Sequence, residues 1–250
     1  IRLLFFLSMV SRGQSRGWIP RRYLRRGHVD TSLYASSSSI RQKVTHLCDT
    51  TPYFTCHDFQ GLQWVSIDGT SSDYILVQFG EHARELCAST LAVHWLSHLA
   101  SHRPEKNVLV LPNANPIMRD RVLAGDIRLR KQPSGVDSNR NFPVPPFVDK
   151  RHHHYGRYSE EFQGDTLLSE PNTQLLDTLM TTYSIDTYAN IHSGEESVYG
   201  SGGYDSIKRR RTPNAQESQR FTAYVAQDCP QCNVGGAADV SSYVAYGTSC

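Results

Sequence analysis

The chain has 250 residues and a mass of 28.2 kDa, with 38% hydrophobic residues, 20% charged residues and a net charge of +2. This is enough chain to bury one sizeable core or two small ones, and it excludes a peptide, a coiled coil or a collagen-like fibre. The small net charge argues against nucleic acid as a partner, and no apolar run is long enough for a transmembrane segment.

The first 45 residues differ in composition from the rest of the chain. Residues 1–10 (IRLLFFLSMV) contain one arginine followed by mostly apolar side chains, a pattern typical of a signal peptide, and a buried first strand is the alternative. Residues 11–39 add six arginines and end in four serines, without a helical or strand period. We therefore predict a signal-like segment and a basic, serine-rich leader or propeptide remnant over residues 1–45.

Hydrophobic runs of strand type and of helix type alternate over the rest of the chain. Residues 74–79 (YILVQF) form an apolar run that Gly80 closes, and residues 88–99 carry one apolar helical stripe. A second strand is predicted over residues 108–111, a second helix after Ser169, and a further strand over residues 185–191. This alternation predicts an α/β fold.

Three side chains follow two of these strands and have the chemistry of metal ligands. His82 and Glu85 are three residues apart in the first turn of the helix, and His192 follows the strand at residues 185–191. Two imidazoles and one carboxylate form the ligand set of a catalytic zinc site. The alternatives are a solvated pair on a helix and a hydrogen-bonded histidine at a strand end.

Four sequence motifs occur in an order that resembles the zinc metallocarboxypeptidase family, the relatives of carboxypeptidases A and B. The motifs are residues 80–85 (GEHARE), 113–116 (NANP), 135–142 (GVDSNRNF) and 191–193 (IHS). Residues 162–164 (FQG), 169–171 (SEP), 242–243 (SY) and 246–248 (YGT) agree with the same family. Four ordered motifs are far more specific than any one of them.

The resemblance implies a mixed twisted sheet flanked by helices, with residues 46–250 as an incomplete catalytic domain. The implied function is that of a zinc-dependent exopeptidase, which removes the C-terminal residue of peptides and proteins by attack of metal-bound water. One zinc ion per chain would be held by His82, Glu85 and His192. Asp137 would accept a hydrogen bond from the distal nitrogen of His82 and fix its orientation.

The resemblance also implies a set of substrate contacts. Asn139 and Arg140 would bind the free carboxylate at the end of the substrate, as a guanidinium fork matches a carboxylate. Arg130 would polarise the scissile carbonyl, with Arg128 as a competing assignment. Arg84 would be the outer substrate contact. Tyr243 would be the mobile tyrosine that closes over the substrate, and Cys250 would contact the terminal side chain.

The sequence departs from the family pattern at its end. The family uses a glutamate general base on a strand beyond the closing tyrosine, and this sequence ends before that position. Because that strand lies inside the family's sheet, we expect its loss to expose two strand edges, and we expect the chain to be a piece of a longer protein. The alternatives are an inactive pseudo-carboxypeptidase that binds zinc or C-terminal tails, and a related zinc amidohydrolase.

Cysteines and basic clusters complete the sequence predictions. Cys48 and Cys56 flank a short loop and could form a disulfide, which agrees with a secreted or lumenal location. Cys229 and Cys232 form a Cys-x-x-Cys pair without the βαβ setting of a redox protein. Residues 152–154 (HHH) and 208–211 (KRRR) are interpreted as solvated loop segments.

Overall fold

The protein is described by a computed structural model over residues 3–9, 31–143, 155–200 and 215–236. Eight strands form one mixed sheet in the order β2-β3-β5-β4-β6-β1-β7-β8. The strands are β1 (Leu3–Met9), β2 (Phe54–Phe59), β3 (Leu62–Ile67), β4 (Tyr74–Phe79), β5 (Asn107–Leu111), β6 (Ile185–Ser193), β7 (Ser197–Gly200) and β8 (Asn233–Gly236). Parallel pairs join β5, β4, β6 and β1, and antiparallel pairs join β2 to β3, β3 to β5 and β1 to β7.

Helices lie on both faces of this sheet and bury its apolar side chains. They are α1 (Ser37–Thr50), α2 (Leu86–Ser101), α3 (Pro116–Leu123), α4 (Pro171–Thr182) and α5 (Ala215–Val225), with short 3-10 helices at Thr31–Leu33, Ser138–Arg140 and Ala226–Asp228. The strands alternate their side chains between two apolar clusters. Val77 and Phe79 of β4 pack with α1 and α2, whereas Leu76 packs with α4. The predicted α/β fold with a mixed, helix-flanked sheet is confirmed.

The first 50 residues contain a strand and a helix that belong to the folded part of the chain. Leu3–Met9 forms a strand of the sheet, the alternative that the sequence left open, and the signal-like segment stays a prediction. The predicted boundary after residue 45 falls inside α1, whose Ile40 and Val44 are buried in the core. The assignment of a basic leader or propeptide remnant stays a prediction for residues 10–30, which lie outside the described residues.

An internal strand position that we expected to be empty is occupied. β1 pairs with β6 in parallel from Leu3 to Met9 and with β7 in antiparallel fashion from Phe5 to Ser8. Both backbone edges at this place are therefore hydrogen bonded, and the prediction of two exposed strand edges is wrong. The register aligns Ser8 with His192.

A tight turn links β4 to α2 and carries two of the predicted metal ligands. Gly80 adopts a φ of +68°, and a Cβ atom there would lie 2.0 Å from the Oγ of Ser89. The helix begins at Leu86, so His82 and Glu85 lie in the turn before the helix and not in its first turn as predicted. A backbone hydrogen bond of 3.0 Å from Glu85 to His82 closes this turn.

A buried arginine attaches the segment before α1 to the centre of the molecule. Arg119 is 2% exposed and donates hydrogen bonds to the backbone carbonyls of Ala35 and Leu86 and to the hydroxyl of Thr90. Burial lowers its pKa to about 10, so the guanidinium stays charged at neutral pH. The planar guanidinium of Arg119 therefore supplies hydrogen bonds to carbonyl and hydroxyl oxygens that have little access to water.

We expect Arg119→Ala to destabilise the protein by about 2–4 kcal/mol, since it leaves buried carbonyls without donors and opens a cavity. Arg119→Lys keeps the charge but not the fork, and we expect it to recover less than half of that loss. Urea unfolding of the two variants tests this expectation. A midpoint equal to that of the wild type for Arg119→Ala would contradict it.

The cysteines divide into two disulfides and one thiol in the described part of the chain. Cys48 of α1 is bonded to Cys56 of β2, as the sequence suggested, and Cys229 is bonded to Cys232. Cys87 is a free thiol and is exposed on α2. Over the described residues, none of the helices combines the length and apolarity that crossing a bilayer requires.

Candidate metal centre

Two neighbouring parallel strands deliver the predicted metal ligands to one end of the sheet. β4 ends at Phe79, which aligns with Ile191 of β6, and the next residues of each strand lead into the same region. His82 lies three residues after the end of β4, and His192 is the second-last residue of β6. Side chains at the carboxyl ends of parallel strands converge in this way. His82 and His192 have ring centroids 4.8 Å apart.

Both imidazoles direct the same ring nitrogen at one carboxylate. The Nδ1 atom of His82 lies 2.7 Å from Oε1 of Glu85, and the Nδ1 atom of His192 lies 2.8 Å from its Oε2. The three side chains are buried or nearly so, with exposed fractions of 3%, 10% and 13% for His82, His192 and Glu85. The structure thus brings together the three residues predicted as zinc ligands.

A buried carboxylate lies on the other nitrogen of each imidazole. Oδ1 of Asp137 is 3.1 Å from Nε2 of His82, as the sequence resemblance implied. Oε2 of Glu81 is 3.6 Å from Nε2 of His192 and accepts a hydrogen bond of 2.5 Å from Nδ2 of Asn190. Glu81 is a residue that the sequence analysis missed, although it stands next to His82 in the GEHARE motif.

The electrostatics of the centre favour charged carboxylates and a protonated His82. Burial opposes charge on His82, but Glu85 and Asp137 outweigh burial and raise its pKa to about 9. Burial also opposes charge on Glu85 and Asp137. His82 and His192 nevertheless hold the pKa of Glu85 well below the usual range, and His82, Arg130 and Arg140 lower the pKa of Asp137. A metal ion held by His82 would have to displace a proton from this imidazole.

Two sets of three residues in this region have the composition of a metal site. One set joins Glu81 to His82 and His192, with ligand atoms within 4.8 Å of one another. The other set is the predicted one, in which Glu85 contacts both Nδ1 atoms at 2.7 and 2.8 Å. We favour Glu85, because each of its oxygens lies within 2.8 Å of a histidine Nδ1, whereas Glu81 faces the other ring nitrogen of His192 at 3.6 Å. Two imidazoles around one carboxylate fit a catalytic zinc ion.

The arginine predicted to polarise the substrate lies beside this centre. Arg130 donates from Nε and a terminal nitrogen to Oδ2 of Asp137 at 3.0 and 2.8 Å, and its other terminal nitrogen is 4.0 Å from Glu85. The competing residue, Arg128, is exposed, and its backbone oxygen accepts a bond of 3.4 Å from Arg84. The geometry therefore favours Arg130.

The residues predicted to bind a substrate carboxylate are fixed to the metal centre through Asp137. Asn139 and Arg140 form the 3-10 helix that follows Asp137, and the backbone N–H of Asn139 donates to Oδ1 of Asp137 at 3.0 Å. Arg140 is 2% exposed, and it donates to the backbone oxygen of Asn139 at 2.8 Å and to Glu161 at 3.3 Å. One aspartate thus contacts both His82 and the segment that contains Asn139 and Arg140.

Arg84 and Arg140 each have an acidic partner that sequence reasoning missed. Glu160 forms a two-pronged pair with Arg84 at 2.7 and 2.9 Å, and the adjacent Glu161 contacts Arg140. Asn141 holds this acidic segment in place: its side chain bonds the backbone of residues 163, 166, 169 and 170. The motifs FQG (residues 162–164) and SEP (residues 169–171), which the sequence analysis gave only as agreement with the family, contain three of these backbone partners of Asn141.

Several predicted positions lie outside the described residues. They are the closing Tyr243, the pocket residue Cys250, and the basic segments 152–154 and 208–211. Their assigned roles stay predictions.

We expect Asp137→Asn to weaken zinc binding by about 10- to 100-fold, the usual effect of losing the carboxylate behind a metal histidine. The neutral amide no longer favours the ring orientation or the basicity that the metal needs. Competition with a chromogenic chelator measures the affinity. Asp126→Asn, which removes an exposed carboxylate paired with Arg121, is the control that should leave the affinity unchanged.

The fold and the centre together define an α/β protein with a candidate catalytic zinc site. The sequence profile of the zinc carboxypeptidase family, peptidase family M14, matches residues 62–249. The chain therefore belongs to the zinc carboxypeptidase family, whose members depend on zinc.

Solved structures support the fold. Bovine thrombin-activatable fibrinolysis inhibitor, in complex with tick carboxypeptidase inhibitor, superposes with a TM-score of 0.73 at 18% identity, over 88% of this chain and 82% of that one. Carboxypeptidase A from Helicoverpa armigera gives a TM-score of 0.74 at 18% identity, over 88% of this chain and 61% of that one. A search of curated proteins found no match.

Proposed function

We propose that the protein is a zinc-dependent exopeptidase that removes the C-terminal residue of peptides and proteins. One observation carries the proposal: Asp137 contacts the metal histidine His82 and begins the buried segment that contains Asn139 and Arg140. A metal centre and a carboxylate-binding pair are thereby held in a fixed relation. Cleavage at a free carboxyl terminus needs this fixed distance, because a substrate held by its terminal carboxylate then presents its last peptide bond to the metal centre.

The residues that would hold zinc are His82, Glu85 and His192. A bound zinc ion supplies a Lewis acid that polarises a carbonyl group and activates water at neutral pH. Asp137 keeps a proton on Nε2 of His82, so that Nδ1 offers its lone pair on the side of Glu85. Burial of the three side chains excludes bulk water and strengthens the electrostatic interactions within the centre.

The arginines divide the work of binding and charge stabilisation. Arg140 would bind the terminal carboxylate of the substrate as a two-pronged ion pair, with Asn139 as a second donor. Arg130 would place its charge where negative charge develops on the carbonyl oxygen, since Asp137 clamps two of its nitrogens and its third is directed toward Glu85. Arg84 is exposed and would contact residues further along the peptide.

Release of a terminal amino acid tests the proposal. The protein is reconstituted with zinc and incubated with a peptide mixture that differs only in the last residue, and mass spectrometry follows the loss of that residue. We expect shortening by one residue at a time and no cleavage of C-terminally amidated peptides. Internal cleavage, or equal cleavage of the amidated peptides, would contradict the proposal. Release of acyl groups without peptide shortening would favour the amidohydrolase alternative.

A second candidate function is a binding module for peptide C-termini that does not hydrolyse them. Two observations on the acidic residues near the centre, which a hydrolase would need as a general base, favour it. In the described part of the centre, the carboxylates of Glu81, Glu85 and Asp137 each contact a histidine. The strand that aligns with His192, Leu3–Met9, contains no acidic residue. Stoichiometric binding of free-carboxylate peptides without turnover would identify this function.

We further propose a secreted or lumenal location, with peptide or protein C-termini as partners and a propeptide as a possible regulator. The two disulfides, Cys48–Cys56 and Cys229–Cys232, support an oxidising compartment. The preferred terminal residue would be set by Tyr243 and Cys250. Fractionation of the source cells and mapping of the mature N-terminus test the location and the processing.

A further inference from the structure

We propose that Glu81 is a positioning residue for the metal-binding face of His192, acting on that ring as Asp137 acts on His82. The inference deepens the proposed function, because it rests on zinc binding at His82, Glu85 and His192. Neither the sequence motifs nor the proposed chemistry gives Glu81 a role, and the inference assigns one.

The two histidines have matching surroundings. Each directs Nδ1 at Glu85, with distances of 2.7 and 2.8 Å. Nε2 of His82 is hydrogen bonded to the buried Asp137 at 3.1 Å, and Nε2 of His192 faces the buried Glu81 at 3.6 Å, a separation longer than a hydrogen bond. A carboxylate behind a ligating histidine selects the tautomer, fixes the plane of the ring and raises the basicity of the metal-binding nitrogen. The arrangement supplies one such carboxylate to each ring.

Burial of the Glu81 side chain costs free energy, and a purely structural role does not explain why this residue is a glutamate. Its side chain is fully buried, and Oε2 accepts a bond of 2.5 Å from Asn190. No group among the described residues donates a hydrogen bond to its Oε1. Burying a carboxylate with so few donors is expensive, and a neutral side chain of the same shape would avoid the expense. A positioning role toward His192, whose ring Glu81 faces at 3.6 Å, accounts for a carboxyl group at this buried position.

The backbone also holds Glu81 in this position. The residue lies between Gly80, with its positive φ, and His82, and its carbonyl oxygen accepts a bond of 3.3 Å from Nδ2 of Asn115. Asn190 lies on β6 two residues before His192, so the donor to Glu81 and the ring that Glu81 faces belong to the same face of one strand. β6 therefore supplies both contacts of this carboxylate.

Glu81 lies on the wrong side of His192 to be a third ligand for the same ion. The two nitrogens of an imidazole point in different directions, and Glu81 faces Nε2 while Glu85 faces Nδ1. An ion between the two Nδ1 atoms would be bound through Glu85. This difference predicts separate consequences for the two acids: loss of Glu85 changes the ligand set, whereas loss of Glu81 changes only affinity.

The test compares metal binding by the full chain and its variants. Zinc affinity is measured by chelator competition, and the cobalt(II)-substituted proteins are compared by visible absorption, which reports the ligand set. We expect Glu81→Gln to weaken zinc binding about 10- to 100-fold with cobalt bands at the wild-type positions. Glu81→Asp, which keeps the charge, should recover part of the loss. Should Glu81→Gln fail to fold, Asn190→Ala should show a smaller loss in the same direction.

Glu170→Gln is the matched control, because Glu170 is a buried carboxylate bonded to the hydroxyls of Ser134 and Ser169. Unchanged zinc affinity in Glu81→Gln, or an equal loss in Glu170→Gln, would overturn the inference. So would cobalt bands displaced as in His192→Ala, which would make Glu81 a ligand. A wild-type protein that binds zinc no better than His82→Ala would overturn the metal centre itself and the inference with it.

Discussion

Replacing His82 with alanine is expected to weaken zinc binding by more than about 100-fold and to remove any exopeptidase activity. Loss of a carboxylate behind a metal histidine already costs about 10- to 100-fold, and loss of the ligand itself costs more. His82 also contacts both Glu85 and Asp137, so its removal leaves two buried carboxylates without their shared partner. Metal content by mass spectrometry and competition with a chelator measure the effect.

A second histidine provides the control for that experiment. His94 is exposed on α2 and lies outside the centre, so His94→Ala should bind zinc as the wild type does. Circular dichroism and a thermal unfolding curve establish that His82→Ala is folded. Full metal content in a folded His82→Ala protein would show that zinc is bound elsewhere.

Replacing Arg140 with alanine is expected to weaken the binding of peptides with a free terminal carboxylate by roughly 10- to 150-fold, equivalent to about 1.5–3 kcal/mol for a bond between charged groups. Binding of the corresponding amidated peptides should change little, since these lack the charge that Arg140 recognises. Calorimetry with a matched acid and amide pair measures both affinities on the zinc-loaded protein. An equal loss for the two peptides would contradict the role of Arg140.

Glu161 allows the same site to be tested in the opposite direction. Its carboxylate lies 3.3 Å from Arg140, where it competes with a substrate carboxylate for the guanidinium. We therefore expect Glu161→Gln to tighten the binding of the free-carboxylate peptide and to leave the amidated peptide unaffected. Arg140→Ala and Glu161→Gln should thus have opposite signs, which a general loss of structure in both variants would not produce.

The elements that could be predicted are those whose own sequence carries a long apolar pattern. β4 and β5 are continuous apolar runs and were predicted within one residue of their bounds. α2 has a complete apolar stripe and was predicted as a helix, although it begins at Leu86 and not in the turn that holds His82. α1 was missed because only Ile40 and Val44 of its 14 residues are buried, and its remaining surface is polar. Its burial depends on the sheet and on α2 and not on its own pattern.

The composition of the metal centre could also be predicted, but its arrangement could not. Ordered motifs predicted His82, Glu85 and His192 as ligands, because ligand chemistry limits which residue types can serve, and the structure brings these side chains together. Glu81 and Glu161 carried no distinctive spacing, and their roles depend on partners far away in the sequence. Asn190 is 109 residues from Glu81, and Glu161 is 21 residues from Arg140.

The sequence by itself determined the family, the α/β class and the side chains that can bind metal, since these follow from residue chemistry and from local hydrophobic periodicity. Only the tertiary structure decided which nitrogen of each histidine meets which carboxylate, that Arg130 and not Arg128 lies at the centre, and that Leu3–Met9 completes the sheet. Ring orientation and strand order are set by contacts between segments that only folding brings together, and no local pattern records those contacts.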